Sequence, residues 1–336
     1  MKTNKIVLVL VSIMVLAIAM SSCDNTVTNS NATSSPFQIP VWDYSENHYF
    51  LDTLYRRSFT EVYKDSITNY VTENTLTTGS NDVEVWVQCN ITESRKRFCV
   101  GWMMLRERPV QGYDTSYINT EAVIDKKFSG FFKKMDTSEY YINPQAGFVG
   151  LKYAIPETYY VGVAYKTLSN KIYGQGSKLS GSNDTLVLKL VKVDSPDPFS
   201  TPLAWKLKMK NVYRLSYRYL LSSSEINLMF LHNNEYINRL PSSYILLITM
   251  LNLDRFNNGT LLPPPDGKFD WIENKTIYPE TGDIVFPILE PFTQGFSSAG
   301  VSSEYWYTEI YNKRNLCRKR IQKQICTGLA AMQFIK

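Results

Sequence analysis

Short stretches of alternating apolar and polar residues, separated by turn residues, set the strongest limit on how this chain can fold. The segment YYINPQAGFVGLKYAIPETYYVGVAYKT at 140–167 places turns near 143–147 and 156–157 between such stretches. Successive side chains of a strand point to opposite faces, so a period of two predicts strands rather than helices. The segment DTLVLKLVKV at 184–193 has the same pattern, with Leu186, Leu188 and Leu190 on one face.

We therefore expect a mainly β fold, β-sandwich-like, with few short helices. The chain has 336 residues, and its 23 tyrosines and 16 phenylalanines are typical of strands. The segment SYILLITML at 243–251 is apolar on both faces, which predicts a central strand covered on both sides. Residues 304–325 have the helical pattern of a C-terminal helical tail, whereas AWKLKMKNVYRL at 204–215 fits either a helical turn or a strand.

The N-terminus predicts export. Lys2 and Lys5 precede an apolar run at 6–20 that is too short for an ordinary membrane span and has the form of a secretory signal peptide. Small residues before Cys23 look like a lipoprotein cleavage site and predict lipidation of Cys23. An ordinary export signal cut nearby is the alternative. If Cys23 is lipidated, we expect acyl chains to hold the mature protein on a membrane.

Composition predicts how the chain is divided. The expected parts are a signal peptide at 1–22, a flexible tether at 23–36, a β-rich region at 37–195, a second β-rich region at 196–302 and a helical, basic tail at 303–336. The internal boundary is DSPDPFSTP at 194–202, and one domain containing both β-rich regions is the alternative. The net charge of +5 lies largely in the tail and gives no indication of nucleic acid binding.

Two cysteines flank a predicted turn. The segment DVEVWVQCNITESRKRFCVGWMML at 82–105 predicts two strands around a turn near 93–96, with Cys89 and Cys99 placed symmetrically about it. Opposed strand residues are about 4.5–5.5 Å apart at Cα, which suits a disulfide. Export permits such a bond, so we predict a Cys89–Cys99 disulfide, with two buried free thiols as the alternative.

The segment DGKFDWIE at 266–273 has the spacing of the second half of a calcium-binding loop. Carboxylates and a backbone carbonyl are the oxygen ligands that calcium prefers, and an upstream aspartate could fold back to join them. The predicted ligands are Asp266, Lys268 through its carbonyl, Asp270, Glu273 and Asp254. The first half of such a loop is absent, so a common Asp-Gly turn in which Asp270 acts as a cap is the alternative.

The residues give little support for an enzyme. The two histidines, His48 and His232, have no neighbours at metal-ligand spacing, and no nucleophile, zinc or phosphate-loop motif is present. Tryptophans such as Trp42, Trp86 and Trp271 could stack on sugars if exposed, and the alternative is that they are core residues. We expect a non-enzymatic protein with no cofactor apart from calcium.

Four segments in the second half of the chain resemble one known family. In order they are PLAWKLKMKNVYRL, LNLDRFNNG, PPDGKFDWIE and TGDIVFPILEPF, at 202–215, 251–259, 264–273 and 281–292. They are similar to the N-terminal repeat domain of the gliding-motility SprA (Sov) family. YYINPQAGFVGLKYAI and VGVAYKT upstream fit the same family, and the resemblance covers roughly 45–312.

Members of that family are very large outer-membrane proteins that form the translocon of the type IX secretion system, and some support gliding. The resemblance implies a non-enzymatic β-rich domain at the outer membrane, on its periplasmic or cell-surface face. Its implied partners are secretion-system or outer-membrane barrel proteins. After Lys313 the sequence loses the resemblance, and we hypothesise that the chain is a fragment of an interrupted translocon gene. The alternative is a free-standing surface lipoprotein that binds glycan or protein partners.

Overall fold

The structure, a computed structural model, describes residues 37–63, 70–79, 82–113, 127–179, 181, 184–215, 227–232, 235–240, 243–312 and 329–335. The described chain is mainly β, as predicted. Its strands, in chain order, are β1 (Phe37–Pro40), β2 (His48–Phe50), β3 (Val83–Gln88), β4 (Lys96–Trp102), β5 (Lys127–Lys134), β6 (Tyr140–Asn143), β7 (Phe148–Leu151), β8 (Val161–Lys166), β9 (Ile172–Tyr173), β10 (Leu186–Lys192), β11 (Val212–Arg214), β12 (Asn227–His232), β13 (Glu235–Ile237), β14 (Ile277–Tyr278), β15 (Asp283–Val285) and β16 (Leu329–Ile335).

The described helices are short. They are α1 (Thr53–Val62), α2 (Pro202–Leu207), α3 (Leu247–Met250), α4 (Phe296–Ser298), which follows a π turn at Pro291–Gly295, and α5 (Glu309–Asn312). Asp52 caps α1, because its carboxylate accepts the backbone N–H of Leu54 at 2.9 Å. None of the helices in the described part of the chain has the length and apolar character that a membrane span requires.

The largest sheet closes on itself. Its strand order is β10–β4–β5–β3–β8, and β8 pairs again with β10, while β9 extends it beside β8. All of these pairs are antiparallel except β10–β4, which is parallel. Every residue of β10 is buried, so this strand is covered on both faces.

The described residues form three smaller sheets as well. The order is β2–β7–β6 in one, β11–β15–β14 in another, and β1–β16–β12–β13 in the third. In the third sheet the first and last described strands are antiparallel neighbours, with Phe37 opposite Phe334.

Two large apolar cores lie under these sheets. The first fills the closed sheet and the face of β7, with Val163, Leu188 and Phe148 fully buried in it. The second includes β15 and the segment that follows it, with Phe286 and Phe292 fully buried. Contributions to each core come from both sides of the predicted boundary at 194–202, because α2 and β11 join the first core and β1 joins the second. The division of the β-rich part into two regions stays a prediction.

Local patterns predicted several strands correctly. The alternating segment at 140–167 forms β6, β7 and β8, and Leu186, Leu188 and Leu190 of β10 share the inner face. The ambiguous segment at 204–215 contains most of helix α2 as well as strand β11. The prediction of a central strand at 243–251 was wrong, because this segment contains α3.

The predicted ends of the chain lie mostly outside the described residues. This holds for the signal peptide, the tether and the lipidation residue Cys23 at 1–36. It also holds for residues 313–328, which include the centre of the predicted helical tail and both of its cysteines. On either side of that gap, the described residues form the short helix α5 and the strand β16.

The predicted Cys89–Cys99 disulfide was wrong, since both thiols are free. The two predicted strands exist as β3 and β4, but β5 lies between them and pairs with both. Cys99 is therefore opposite Gly130, and the backbone N–H of Cys89 donates to the carbonyl of Phe131 at 2.9 Å. Burial raises the pKa of the Cys99 thiol to about 12, so this thiol stays protonated at neutral pH.

Gly101 of β4 provides a test of how tightly the closed sheet is packed. A Cβ added there would lie 2.4 Å from Cδ2 and 2.7 Å from Cγ of the buried Leu190. We expect Gly101→Ala to lower the free energy of unfolding by about 1–3 kcal/mol, as overpacked cores do. Urea unfolding at equilibrium measures this change.

The matched control is Gly259→Ala on an exposed loop. A Cβ there would approach only the side-chain oxygen of Asn257, at 3.2 Å. If the two variants unfold with the same loss of stability, the interior of the closed sheet is more adaptable than its packing indicates.

Candidate functional site

A fully buried carboxylate, that of Asp283 on β15, is the centre of a polar network. Its Oδ1 accepts Nε–H of Arg214 at 2.6 Å, and its Oδ2 accepts a second guanidinium N–H at 2.8 Å. The hydroxyls of Thr281 and Tyr141 donate to the same Oδ2 at 2.5 and 3.0 Å. Nε2 of His48 lies 3.3 Å from that oxygen. These partners replace the water that the carboxylate loses on burial.

The network joins four strands from separate parts of the chain. His48 lies on β2 and Tyr141 on β6, the two neighbours of β7, whereas Arg214 and Asp283 are directly opposite each other on β11 and β15. Burial opposes ionisation of Asp283, but His48 and Arg214 outweigh it and hold the pKa of this carboxyl below its usual value. Burial also raises the pKa of Tyr141 well above its usual value, so its hydroxyl keeps its proton and donates.

The network contains the residue types of a hydrolytic triad, but its side chains are not accessible to a substrate as those of a triad are. Oγ of Ser45 lies 2.7 Å from Nδ1 of His48, whose Nε2 is 2.7 Å from the hydroxyl of Tyr141. The imidazole is fully buried, so both ring nitrogens face protein partners. A general base must reach the proton that it takes from a substrate or water. We therefore interpret the network as a structural one that aligns strands.

The acidic loop at 254–273 is the second candidate site. The carboxylate of Asp254 accepts the backbone N–H groups of Asp266 and Gly267 at 3.1 and 3.2 Å. The carboxylate of Asp266 in turn accepts the N–H of Lys268 at 3.0 Å. Gly267 has φ +83°, which is the left-handed turn expected of this glycine. The aspartates thus cap the backbone of their own loop.

Asp270 has the same role at the next turn. Its Oδ2 accepts the backbone N–H of Arg255 at 2.8 Å. Burial raises the pKa of Asp270 to about 6, and the nearby charges of Asp254 and Asp266 contribute to the rise. Burial raises the pKa of Asp254 as well. Three carboxylates therefore lie near one another in this loop.

The predicted calcium ligands are only partly brought together. Asp254, Asp266 and Asp270 are neighbours, whereas Glu273 is exposed and its backbone forms a bridge with Ile277. Within the described ranges, no group of three or more His, Cys, Asp or Glu side chains is arranged to hold a metal ion. Calcium binding stays a prediction, and the capping that was its alternative is present.

The four segments that carry the family resemblance are neighbours in space. We call them the motif unit (202–215, 251–259, 264–273 and 281–292). The side-chain amide of Asn211 donates to the carbonyl of Phe286 at 2.7 Å, and the N–H of Phe286 donates back to the carbonyl of Asn211 at 2.8 Å. The N–H of Asp270 donates to the carbonyl of Leu253 at 2.8 Å. Side chains from all four segments meet in the second core.

Sequence reasoning missed two buried lysines on β10. Lys189 forms an ion pair with Asp52 at 2.8 Å. Nζ of Lys192 donates to the carbonyls of Pro156 and Glu157 at 3.1 and 2.6 Å, and burial lowers its pKa to about 8. A lysine within an otherwise apolar strand was the available signal, because such a residue needs buried partners.

The tryptophans proposed for sugar stacking are largely covered. Trp86 is buried, and its indole N–H donates to Glu84 at 3.0 Å. Trp42 and Trp271 are half-buried against the second core. Aromatic surface is found instead on the outside of the closed sheet, where Phe98 is 44% exposed and packs edge-on against Phe131 with ring centroids 5.6 Å apart.

Comparison with known proteins gives no match to any protein-family model and no significant similarity to a curated protein. The family resemblance therefore rests on the quoted segments alone. The geometry of the two candidate sites is independent of that resemblance.

Asp283→Asn tests the structural interpretation of the buried network. Removing one partner of a buried ion pair leaves the other uncompensated, so we expect a loss of about 3–5 kcal/mol in the free energy of unfolding. The pKa of Asp283 is depressed, so its ionised form stabilises the fold above the usual pKa of 3.8 and that contribution is lost as pH falls below it. Asp283→Asn removes this part of the acid dependence.

Glu280→Gln is the control, because Glu280 is 79% exposed on its side chain and pairs with Lys152 at 3.2 Å. A surface pair of this kind contributes about 0–1 kcal/mol. Urea unfolding from neutral pH down to pH 3 compares the two variants. Equal stabilities and equal acid dependence would show that the buried network does not hold the strands together.

The calcium prediction is tested by thermal unfolding with and without the ion. A ligand that binds only the folded state raises the melting temperature, and the rise grows with ligand concentration. We expect such a rise with calcium and its loss in Asp270→Asn, with Glu280→Gln behaving as the unchanged chain. If a large excess of calcium leaves the melting temperature unchanged, the calcium prediction is wrong and the aspartates only cap the backbone of their own loop.

Proposed function

We propose that this chain is an exported, non-enzymatic module that acts at the outer membrane together with a barrel protein of the type IX secretion or gliding machinery. The observation that carries this proposal is the motif unit. Segments spread over about ninety residues resemble one family, and they pack as one connected structure. Segments that share one core are expected to occur together in a sequence, because a change in one segment alters the packing of the others.

The absence of enzymatic activity is supported by how the ionisable groups are used. Asp283 and His48 are enclosed in the buried network, and Asp254, Asp266 and Asp270 cap their own loop. A catalytic acid or base needs contact with a substrate, whereas these groups contact the protein. The export signal and the Cys23 motif support a position at the membrane surface.

A second candidate function is a free-standing surface lipoprotein that binds glycan. It is favoured by the aromatic strip on the outside of the closed sheet, formed by Lys96, Phe98 and Phe131. Nζ of Lys96 lies 5.9 Å from the ring centroid of Phe131, and Phe98 is 44% exposed beside it. Exposed rings next to cations can stack on sugars and attract acidic groups.

Two surface variants separate these functions. Leu262, 56% exposed in the loop that connects two segments of the motif unit, is changed to Ser in one variant, and Phe98 is changed to Ser in the other. The tagged full chain is produced in a bacterium that carries a type IX secretion system, and detergent extracts of the outer membrane are analysed by mass spectrometry.

We expect the translocon barrel to co-purify with the unchanged chain and with Phe98→Ser, and to be reduced severalfold with Leu262→Ser. If the barrel is absent and polysaccharide retention is lost only in Phe98→Ser, the glycan-binding function replaces the first. Cys23→Ser, assayed in parallel, reports whether the membrane attachment needs that residue.

A further inference from the structure

The aromatic strip on the outside of the closed sheet has a second lysine beside it. In the pairing of β4 with β5, Lys96 is directly opposite Lys133, and Phe98 is directly opposite Phe131. Opposed residues of two strands share a face of the sheet, and so do residues two apart along one strand. The four side chains therefore lie next to one another, and we call them the lysine–phenylalanine patch (Lys96, Phe98, Phe131 and Lys133).

The patch faces solvent and has a definite end. Cys99, between two residues of this face, is fully buried toward the other side of the sheet. Phe98 is 44% exposed, and the side chain of Lys133 is 49% exposed. Val100, the next residue on the same face, is 1% exposed in a small apolar cluster with Trp102. The patch thus spans two residues of each strand, which is enough for one or two sugar rings but not for a large interface.

The rings of the patch are held in place before any ligand arrives. Phe98 packs edge-on against Phe131 with the two ring planes at 77°. The contact fixes the orientation of Phe98, so little side-chain freedom remains to be lost when a ligand binds. An aromatic ring also offers a large, rigid apolar surface. Phe98 is therefore suited to support the apolar face of another ring.

The charges of the patch are only partly compensated. Nζ of Lys133 donates to the carboxylate of Glu93 at 2.8 Å, and Nζ of Lys96 donates to the backbone carbonyl of Glu93 at 3.2 Å. Like charges directly opposite each other on two strands are destabilising, and the single carboxylate of Glu93 offsets only one of these two. Each ammonium has three N–H donors, so both lysines keep donors for a ligand.

We propose that the lysine–phenylalanine patch binds an acidic polysaccharide whose sugars carry carboxylates, as uronic acids do. A sugar ring stacks on Phe98, and its carboxylates accept N–H groups of Lys96 and Lys133. A neutral glycan would contact the ring but leave the excess positive charge, whereas a free carboxylate would pair with a lysine but leave the ring uncovered. The inference rests on the glycan-binding candidate under the proposed function and names its ligand class.

The test is isothermal titration calorimetry of the purified full chain with polygalacturonate. The fully methyl-esterified form of the same polymer is the comparison ligand, because it keeps the sugar rings and removes their charge. A single-stranded oligothymidylate is the second comparison, since it also combines rings with anions. The variants are Phe98→Ser and Lys133→Met. The matched control is Lys171→Met, because Lys171 forms a similar surface pair with Glu73 at 3.4 Å.

We expect saturable binding of polygalacturonate that weakens as salt is added, since exposed charges are screened. Lys133→Met should weaken it about threefold to fivefold, the effect of losing one surface ion pair, and should not change binding of the esterified polymer. Phe98→Ser should weaken both polymers, and Lys171→Met should bind as the unchanged chain does. Circular dichroism verifies that each variant is folded.

The outcomes separate this inference from the glycan-binding function itself. Equal binding of the two polymers, lost in Phe98→Ser, would overturn the acidic ligand class and leave glycan binding intact. Binding of polygalacturonate that is unchanged in folded Lys133→Met would also overturn the inference. Binding of neither polymer would overturn both the inference and the glycan-binding function. Tighter binding of the oligothymidylate than of polygalacturonate would replace the polysaccharide by a single-stranded nucleic acid.

Discussion

The ion pair between Asp283 and Arg214 is the interaction on which the arrangement of the two cores depends. A carboxylate in an apolar interior is unfavourable unless every lone pair has a donor, so its partners must all be in position at once. Arg214 also donates to the carbonyls of Leu151 and Lys152, both at 3.1 Å. One charged pair therefore fixes the end of β7 against β11 and β15. Apolar contacts alone do not impose such a register, because they have no direction.

Sequence patterns predicted those parts of the fold that depend on neighbours along the chain. Strands β6, β7 and β8 were found because alternation and turn residues act within a few positions. The strand predicted at 243–251 was wrong because a short, fully apolar run fits a buried helix as well as a buried strand. The prediction that the strands at 83–102 pair directly as a hairpin was wrong for another reason. The strand that separates β3 from β4 is β5, which begins at Lys127, and no pattern within the hairpin indicates it.

The candidate sites show the same limit. The Asp-Gly turn at 266–267 was recognised from its local spacing, and the left-handed glycine is where the pattern put it. The sequence did not predict which groups the carboxylates of this loop contact, because Asp254 reaches the turn from twelve residues upstream. The network at Asp283 joins Tyr141 across 142 positions and Arg214 across 69. The one sign of this network in the local sequence is Asp283, the first residue of the apolar strand β15.

The pairing of β1 with β16 has a mechanical consequence. Phe37 is opposite Phe334 in an antiparallel pair, so the chain enters and leaves this sheet at the same end. A force applied between these two points acts across the strands rather than along them. The hydrogen bonds of the pair then break one after another, as in the opening of a zipper, and each carries the load alone. Under tension this strand pair would open before the load reached the closed sheet.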